Sequence, residues 1–431
     1  MDFNKQTYIT AFALFSLFFG AGNLILPPFL GYNAGEDWFW VLLGFGFSAV
    51  VIPIMAIYGY ARLQGTMLDF SKKISSYIAL VYCVIVYAIS VALPAPRTAS
   101  VTYEMAVQPY TEISSLWLSA IYFALVLVFV LNRTKIISLI GKFLTPLLIL
   151  LLLCIIGIGL FAETEAMRTS MFENGLSAGI LEGYQTFDAI GGVVVGGVIV
   201  ISLALQGTYN YEQKKKMIAR SGLLAGIGLF AIYGGLIALG AYYSNTAQIE
   251  NRTQLLQLLS TSTLGSIGTA FLAVLVALAC FTTAVGIITG TSDFVKGLCK
   301  NSRNAYTITA VFGCVLGVVI GQFNVGYIID IAVPALLFIY PITIVLILLN
   351  TLPVRFASTI VFRSVALITF LFSIPDFLAL FIAEGALDGI TAYIPLSNYS
   401  MGWVLPAILV FVLVNLFQSF RGRHDGEIAP E

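Results

Sequence analysis

Two short polar stretches interrupt apolar runs that are long enough to cross a membrane. The first is Phe19-Gly20-Ala21-Gly22-Asn23, in which two glycines precede an asparagine, and the second contains Gln185, Thr186 and Asp188. A carboxylate at membrane depth is costly, so Asp188 is a functional candidate by default. It could face a substrate amine, carry a coupling proton, or cap the following helix segment. These residue types favour ligand binding or ion coupling, with helix capping left open for Asp188.

A third polar stretch is Ala279-Cys280-Phe281-Thr282-Thr283. Positions 279, 282 and 283 share one face of a helix, because residues three and four apart lie above one another. Two hydroxyls and a backbone carbonyl are hard oxygen donors without a full negative charge, which suits Na⁺ better than a divalent ion. The alternative is that each threonine bonds to a carbonyl of its own helix. The face becomes a candidate cation site chiefly if the glycine-rich interruption lies beside it.

The composition excludes an ordinary soluble fold. Of the 431 residues, 59% are apolar and 10% are charged, whereas a typical soluble domain has about 45–50% and about 25%. Most of the surface must therefore face lipid. We expect an all-α polytopic membrane protein.

Other functional classes are excluded by the scarcity of their key residues. The single histidine, His424, follows the last apolar run, which argues against histidine zinc sites, catalytic triads and histidine proton relays within the membrane. The five cysteines are dispersed without a CxxC pair, and zero net charge gives no reason to expect nucleic-acid binding. We expect no enzyme, no cofactor, no nucleic acid and no obligate protein partner, but a small-molecule substrate and the lipid bilayer.

Apolar windows of about 20 residues divide the chain into twelve candidate membrane spans. They cover 7-32, 38-62, 76-107, 115-132, 136-161, 174-206, 217-243, 264-297, 304-321, 325-350, 357-384 and 402-420. This division places most of the 21 Lys and Arg residues on the side of the N-terminus, as expected of cytoplasmic loops. Both termini are therefore predicted to be cytoplasmic. Pro94, Pro96 and Pro375 favour bends in the third and eleventh spans.

The two interruptions fall in the first and sixth spans, at corresponding positions of two five-helix sets. An odd number of spans per set inverts the second set relative to the first, and paired breaks in inverted repeats indicate a transporter binding site. The predicted organisation is a first repeat over 1-161, a second repeat over 162-350, and helices 11 and 12 with a short tail over 351-431. Half-helix N-termini would suit a carboxylate, while half-helix C-termini would suit an ammonium group or Na⁺.

One segment closely resembles the helix 1 signature of the bacterial branched-chain amino-acid:cation symporters. It reads Leu14-Phe15-Ser16-Leu17-Phe18-Phe19-Gly20-Ala21-Gly22-Asn23-Leu24-Ile25-Leu26-Pro27-Pro28-Phe29-Leu30-Gly31. The Leu93-Pro94-Ala95-Pro96-Arg97 bend, residues 185–192 and 280–293 and the twelve-span layout also look like that family. The resemblance implies a LeuT-like 5+5 inverted repeat with discontinuous helices 1 and 6. It further implies sodium-coupled import of leucine, isoleucine and valine by alternating access, in the bacterial inner membrane.

The same resemblance implies roles for individual residues. A sodium ion, the coupling ion, would be bound by backbone carbonyls of Ser16 and Phe19 together with Ala279, Thr282 and Thr283. The substrate would lie against Phe19, Gly20, Ala21, Gly22, Asn23, Phe187, Asp188, Ala189, Ile190 and Gly191.

Four further charged residues are gating candidates because of their positions near the ends of spans. Lys5 and Asp293 are expected at similar depths on the cytoplasmic side, where they could form an inner gate. Arg97 and Asp330 are expected toward the outer side, with static ion pairs or caps as the alternative. Glu182 is expected to stabilise the start of the first half of helix 6 through the helix dipole.

Two alternatives stay open from the residues alone. One is a proton-coupled amino-acid symporter of the same fold, in which Asp188, Glu182 or Asp330 would carry the proton. The other is a sensor that binds the amino acid without moving it across the membrane.

Overall fold

The structure, a computed structural model, describes residues 3–132, 136–162, 166–205, 210–245, 249–382 and 386–426. The side chains of Ala21 and His424 lie outside the described part. Within these ranges the regular structure is entirely helical.

The first nine α-helices cover the chain up to residue 160. They are α1 (Phe3–Phe18), α2 (Ala21–Ala34), α3 (Trp38–Gly46), α4 (Ile52–Leu63), α5 (Met67–Ser71), α6 (Ser76–Ala92), α7 (Pro94–Thr102), α8 (Ser115–Asn132) and α9 (Ile136–Leu160). The π-helical segments Phe47–Val51 and Tyr103–Val107 continue α3 and α7, and a 3₁₀ turn covers Gly35–Asp37.

The remaining α-helices follow from residue 175 onward. They are α10 (Gly175–Tyr184), α11 (Asp188–Leu205), α12 (Tyr211–Tyr242), α13 (Arg252–Leu298), α14 (Arg303–Gly321), α15 (Val325–Thr351), α16 (Thr359–Leu378), α17 (Asp388–Thr391) and α18 (Val404–Gly426). Two 3₁₀ turns, Val354–Phe356 and Ser397–Tyr399, lie on either side of α16 and α17.

Eight helical stretches of the described part are long and apolar enough to cross a membrane. They are Gly22–Leu63, Ser76–Val107, Ser115–Asn132, Tyr211–Tyr242, Arg252–Leu298, Arg303–Gly321, Val325–Thr351 and Thr359–Leu378. Pro146–Leu160 and Val404–Phe420 are shorter apolar helices. The chain is therefore a multi-span helical membrane protein, while the count of twelve spans stays a prediction.

The predicted first and sixth spans are both discontinuous. The span 7-32 consists of α1 and α2, separated at Phe19 and Gly20, and the span 174-206 contains α10 and α11, separated at residues 185–187. Glycine lowers helix propensity by about 1 kcal/mol relative to alanine, and asparagine and threonine are also weak helix formers. The first break therefore falls at a glycine, and the second falls where the polar residues Gln185, Thr186 and Asp188 interrupt an apolar run.

Prolines and a glycine explain two further irregularities. α6 ends at Ala92 and α7 begins at Pro94, as expected of a residue that lacks a backbone N–H and fixes its own φ. The predicted bend at Pro94 is therefore present, whereas Pro375 lies inside the uninterrupted α16. The eighth span was predicted to start at 264, but α13 already begins at Arg252. At the predicted start the helix is kinked, since Gly265 has φ +71°.

The chain divides into two compact units, and the first contains both helix breaks. This unit comprises Met1–Val51, Ile85–Gly191 and Arg220–Ala332. Within it, α3 and α10 pack through Gly44 and Gly179, where an added Cβ would collide with the carbonyls of Leu176 and Val41. Small residues let membrane helices approach until their backbones touch.

Two further glycines bring α2 and α12 equally close within the same unit. A Cβ at Gly31 would meet the carbonyl of Ile237, and a Cβ at Gly240 would meet the carbonyl of Pro28. Because both collisions involve backbone atoms, α2 and α12 cannot accommodate side chains at these positions without moving apart.

The second unit comprises Ile52–Val84, Gly192–Ala219 and Val333–Glu431. Its core includes Tyr60, whose ring stacks on Phe70 at 4.7 Å and whose hydroxyl donates to the carbonyl of Val193 at 2.6 Å. The short α5 begins with a capping box in which Thr66 and Asp69 bond reciprocally. Hydrogen bonds from the backbone and hydroxyl of Thr66 hold the pKa of Asp69 below its usual value.

Candidate functional site

The break between α1 and α2 brings the carbonyl end of one helix to the amide end of the next. The amide of Phe19 closes the last turn of α1 on the carbonyl of Phe15 at 2.8 Å, and Gly20 then adopts an extended conformation at φ −104° and ψ −171°. A helix leaves its last carbonyls and first amides without intrahelical partners. The carbonyls at the end of α1 and the amides of residues 21–23 therefore meet at this break, with partial charges of opposite sign.

The break between α10 and α11 is held by tight turns and by one residue in an unusual conformation. The amides of Gln185, Thr186 and Phe187 bond to carbonyls three residues earlier, and the Thr186 hydroxyl accepts from the amide of Asp188 at 3.2 Å. Phe187 has φ +63°, in the left-handed region that bulky side chains seldom occupy. Such strain persists where the surrounding structure requires it, often at functional sites.

Side chains from three helices meet in a buried polar cluster. Asn23 Nδ2 donates to Asp188 Oδ2 at 2.6 Å and also to the hydroxyl of Tyr233, and that hydroxyl donates to the same carboxylate oxygen at 3.3 Å. All three residues are almost fully buried. We call these residues the Asn23–Asp188–Tyr233 cluster.

The cluster bears on the capping role that was considered for Asp188. Asp188 is the first residue of α11, and its carboxylate accepts from side chains of α2 and α12. A cap would instead accept the first amides of its own helix. The carboxylate therefore joins separate helices, which brings it to the predicted helix 1 interruption.

Aromatic and aliphatic side chains surround this cluster. The ring of Phe19 stacks on Phe15 at 5.1 Å and on Tyr233 at 6.2 Å, and Phe45 meets Tyr233 edge-on at 5.4 Å. The other predicted apolar contacts, Phe187, Ala189 and Ile190, are also buried. The structure thus gathers the predicted substrate-binding residues around both breaks, although nothing is described for the side chain of Ala21.

Arg97 lies near the start of α7 and is buried, while its part in an outer gate stays a prediction. Only 3% of the residue is exposed; Nη1 donates to the carbonyl of Gln185 at 2.7 Å, and Cζ lies 5.2 Å from the ring centroid of Phe187. A Cβ on Gly22 would collide with its guanidinium. Its role at the breaks was missed, although an arginine within an apolar span is itself a functional signal.

The predicted cation face of α13 adjoins the first break. The hydroxyls of Thr282 and Thr283 each donate to the carbonyl of Ala279 at 2.9 Å, so the expected alternative of bonding to their own helix is what the structure shows. A Cβ on Gly20 would lie 3.6 Å from Thr283 Oγ1. A donating hydroxyl keeps lone pairs that can coordinate a cation. These oxygens, with the carbonyls of Ser16 and Phe19 at the end of α1, fit a sodium ion in type.

The other gating candidates are distributed as follows. Lys5 on α1, Asp293 on α13 and Asp330 on α15 are exposed.

Glu182 corrects an expectation from the sequence. It lies in the last turn of α10, because the break follows at once, and a carboxylate is unfavourable at that end of a helix dipole. Its Oε1 instead accepts from Nη2 of Arg252 at 3.0 Å, and Arg252 also lies over the ring of Phe29 at 5.0 Å. The expected interaction with the helix start is therefore wrong, and an ion pair to α13 replaces it.

Comparison with known sequences gives consistent similarity along the whole chain. A model of the family described as "Branched-chain amino acid transport protein" matches residues 3–421. The branched-chain amino acid transport system 2 carrier protein of Pseudomonas aeruginosa is 32% identical over 427 residues, covering 97% of each chain. The branched-chain amino acid permease BraB of Bacillus subtilis is 31% identical, covering 97% of this chain and 96% of its own. These relatives are transport proteins and not enzymes.

Solved structures share the fold at low sequence identity. Inward-facing Mhp1 matches with a TM-score of 0.59 and 13% identity over 98% of this chain and 95% of its own. A mutant form of the manganese transporter of Eremococcus coleocola gives 0.62 and 14% over 96% and 95%. MhsT in complex with L-phenylalanine gives 0.55 and 15% over 95% and 97%. The helical fold is therefore that of LeuT-like transporters, as predicted. The 5+5 inverted repeat and the twelve spans stay predictions.

The sequence similarity extends over both helix breaks and over the α13 threonines, since the family match begins in α1 and ends in α18. The identity is above 30% over almost the full length of both relatives. The chain belongs to the branched-chain amino acid transport protein family.

Proposed function

We propose that this protein imports leucine, isoleucine and valine by sodium-coupled symport, through alternating access of one site to the two sides of the membrane. The observation that carries the proposal is the meeting of two broken helices at the Asn23–Asp188–Tyr233 cluster, surrounded by apolar side chains. The names of the relatives support the branched-chain substrates.

The substrate's charged groups match the chemistry of the breaks. Its carboxylate lies at the amides of Gly20–Asn23, where the partial positive charge of the α2 N-terminus favours an anion. Its ammonium group lies at Asp188, within reach of the carboxylate that Asn23 and Tyr233 hold in place.

The aliphatic side chain of the substrate lies among Phe19, Phe187, Ala189, Ile190 and Gly191. Burial of each CH₂ contributes about 0.8 kcal/mol, so leucine should bind more tightly than alanine by a few kcal/mol. Discrimination between leucine and valine should be modest, because they differ by a single methylene.

The coupling ion is sodium, bound by carbonyls of Ser16 and Phe19, the carbonyl of Ala279 and the hydroxyls of Thr282 and Thr283. The support is the proximity of Thr283 to the α1–α2 break and the hard oxygen chemistry of the donors. Sodium bound there would stabilise the carbonyl end of α1 and thereby favour the substrate-binding geometry of α2.

The protein works in a bacterial inner membrane with both termini in the cytoplasm. Lys5 and Asp293 form the inner gate, and Asp330 contributes to the outer one. The single-sided distribution of Lys and Arg supports this orientation.

A proton-coupled version of the same transport has one specific observation in its favour. Asp188 is a carboxyl group buried in a membrane protein and bonded to two neutral side chains, which is an environment found for proton carriers. In that case Asp188 would release its proton after the substrate leaves.

Uptake of labelled leucine into proteoliposomes separates these functions. Inward gradients of Na⁺, of H⁺ and of neither are compared for the wild type and for the Thr282→Ala, Thr283→Ala double variant. Accumulation driven by sodium alone, and lost in the variant, supports the proposal. Accumulation driven by protons and retained in the variant refutes sodium coupling. Binding without flux under any gradient indicates a sensor.

A matched control lies on the same helix. Thr291 and Ser292 also donate to carbonyls of their own helix, at 2.9 and 2.7 Å, and they lie roughly two turns beyond the candidate site. The Thr291→Ala, Ser292→Ala variant removes two hydroxyls of the same kind and should keep sodium-driven uptake. A loss equal to that of the site variant would attribute the effect to helix distortion.

A further inference from the structure

We propose that Arg97 binds the carboxylate of the transported amino acid, so that Arg97 and Asp188 hold the two charged ends of the zwitterion. This assignment deepens the proposed function and rests on it. It replaces a role at an outer gate with a role in substrate recognition, and it assigns α7 to the substrate site.

The position of Arg97 is the first argument. The guanidinium donates to the carbonyl of Gln185 in the second break and lies over the ring of Phe187. On the other side it is in contact distance of the position that a Cβ of Gly22 would occupy in the first break. Arg97 thus contacts Gln185 and Phe187 in the second break and lies beside Gly22 in the first.

The second argument is the accumulation of positive potential around this group. The α2 N-terminus directs its first amides and its partial positive charge into the same break. A buried cation is costly unless an anion or several acceptors accompany it. Asp188 is engaged with Asn23 and Tyr233 through Oδ2, while a ligand carboxylate placed near Arg97 would meet both the guanidinium and the partial positive charge of the α2 N-terminus.

The geometry of the guanidinium is the third argument. Its planar arrangement of N–H groups can bind both oxygens of a carboxylate, which gives orientation as well as energy. The Phe187 ring packs against the guanidinium and limits its rotation. The left-handed backbone conformation of Phe187 places its ring against the guanidinium. The strained conformation would therefore be kept because it orients Arg97.

A neighbouring acceptor suits the opposite end of the same ligand. The side-chain oxygen of Gln185 is buried and accepts no hydrogen bond from the part of the chain that the structure describes. An ammonium group has three donors, which Asp188 and this amide oxygen can share. The second break therefore offers acceptors for the ammonium group, and Arg97 adds donors for the carboxylate.

The competing explanation is that Arg97 only stabilises the turn at Gln185. The two explanations differ in how they depend on the ligand. Leucinamide keeps the ammonium group and the aliphatic side chain of leucine but has no carboxylate, so Arg97 as a carboxylate receptor should matter for leucine and not for leucinamide. A structural arginine should matter equally for both.

The test measures equilibrium binding of leucine and of leucinamide to the purified full-length protein in sodium buffer at about pH 6.5, where both amines are protonated. The wild type should bind leucine roughly 10–100-fold more tightly than leucinamide, as expected for a charge-assisted bidentate contact. Arg97→Gln should weaken leucine binding about tenfold or more, leave leucinamide binding within about threefold, and so lower the ratio of the two affinities to the smaller preference that the α2 amides alone give.

Arg97→Lys and Arg168→Gln complete the design. Arg97→Lys keeps the charge without the planar fork and should give an intermediate ratio; it also serves if Arg97→Gln does not fold. Arg168→Gln is a matched control, because Arg168 also stacks on an aromatic ring, Tyr32, at 4.2 Å and donates to Asn33 at 2.9 Å, away from the breaks. It should keep the wild-type ratio.

Each result decides one of the two proposals. Equal loss of leucine and leucinamide binding in the Arg97 variants, or a wild type that does not distinguish the two ligands, overturns the assignment of Arg97. A wild type that neither binds nor transports leucine overturns the proposed function itself. Melting curves of all variants, recorded without ligand, separate either result from a loss of folding.

Discussion

The Nδ2 atom of Asn23 lies 2.6 Å from Oδ2 of Asp188, although 165 positions separate the two residues in the chain. Each residue belongs to the first turn of a half-helix that begins after a break. The bond therefore joins the starts of α2 and α11, and Tyr233 of α12 closes the cluster. Because buried polar groups are stable only when they are hydrogen-bonded, the three side chains hold each other in one arrangement.

Tyr233→Phe should impair leucine transport without unfolding the protein. The change removes the hydroxyl that bonds to Asn23 and Asp188 but keeps the ring packed on Phe19 and Phe45. A hydrogen bond to a charged group contributes about 1.5–3 kcal/mol, so the KM for leucine should rise about tenfold or more. Uptake kinetics in proteoliposomes provide the measurement.

Tyr60→Phe is the control for that experiment. It also removes a buried tyrosine hydroxyl, one that donates to the carbonyl of Val193. The two variants should lower the melting temperature by similar amounts, because each loses one buried hydroxyl. The KM of Tyr60→Phe for leucine should stay at the wild-type value. Equal KM values for the two variants would show that Tyr233 acts only through stability.

Gly22→Ala should weaken leucine binding because the new methyl group would displace the guanidinium of Arg97. We expect about a tenfold loss of affinity in a binding assay, consistent with the cost of overpacking. The loss should be smaller in an Arg97→Lys background, because the shorter head group leaves more room. Additive effects of the two changes would mean that Gly22 and Arg97 do not interact.

Gly240→Ala should reduce the stability of the folded protein by about 1–3 kcal/mol, since its methyl group would collide with the backbone carbonyl of Pro28. Gly286→Ala on α13 is the control, because a Cβ there meets nothing within 4 Å. Alanine also favours a helix over glycine, so this variant should melt at or above the wild-type temperature. Similar melting temperatures for both variants would contradict the close contact of α2 with α12.

Neutralising one member of the Arg252–Glu182 pair should be more harmful than neutralising both. The side chains are each 20% exposed and 3.0 Å apart, so a single change leaves a largely buried charge without its partner. Arg252→Gln and Glu182→Gln should each cost about 1–3 kcal/mol of unfolding free energy, and the double variant should recover about 1 kcal/mol. Chemical unfolding in detergent measures the coupling, and a coupling of zero would show that the pair is incidental.

The capping box of α5 should give a pH-dependent contribution to stability. Since Thr66 lowers the pKa of Asp69 in the folded protein, this contribution is present above the unfolded-state pKa and is lost as the pH falls through the folded-state value. Asp69→Ala should therefore lower the melting temperature at neutral pH and have progressively less effect below about pH 4. A difference that stays constant down to about pH 2.5 would exclude the carboxylate as its cause.

Both helix breaks are predictable from the sequence because their cause is local. Gly20 and Gly22 weaken the first span, and the polar residues Gln185, Thr186 and Asp188 interrupt the apolar run of the sixth, where the breaks are observed. The α6–α7 bend is equally local, since it follows from Pro94. The threonine face of α13 was also found by spacing alone.

The misjudged residues depend on contacts that spacing does not contain. Arg97 was considered for an outer gate by its place in the span, whereas its contacts with Gln185 and Phe187 come from a part of the chain far away in sequence. Glu182 was placed at a helix start, but α10 ends at Tyr184, only two residues later. The partner that stabilises it, Arg252, belongs to a helical segment before Gly265 that the hydropathy windows did not include.

The opposite charges at the two breaks have an electrical consequence for the transport cycle. When Asp188 is ionised, its negative charge and the positive charge of Arg97 cancel. The empty site would then carry no net charge when it changes from one side of the membrane to the other. Leucine is a zwitterion and adds none, whereas each sodium ion adds one positive charge. The membrane potential, about 2.3 kcal/mol per charge at 100 mV, would then act on the loaded carrier and leave its return insensitive to voltage.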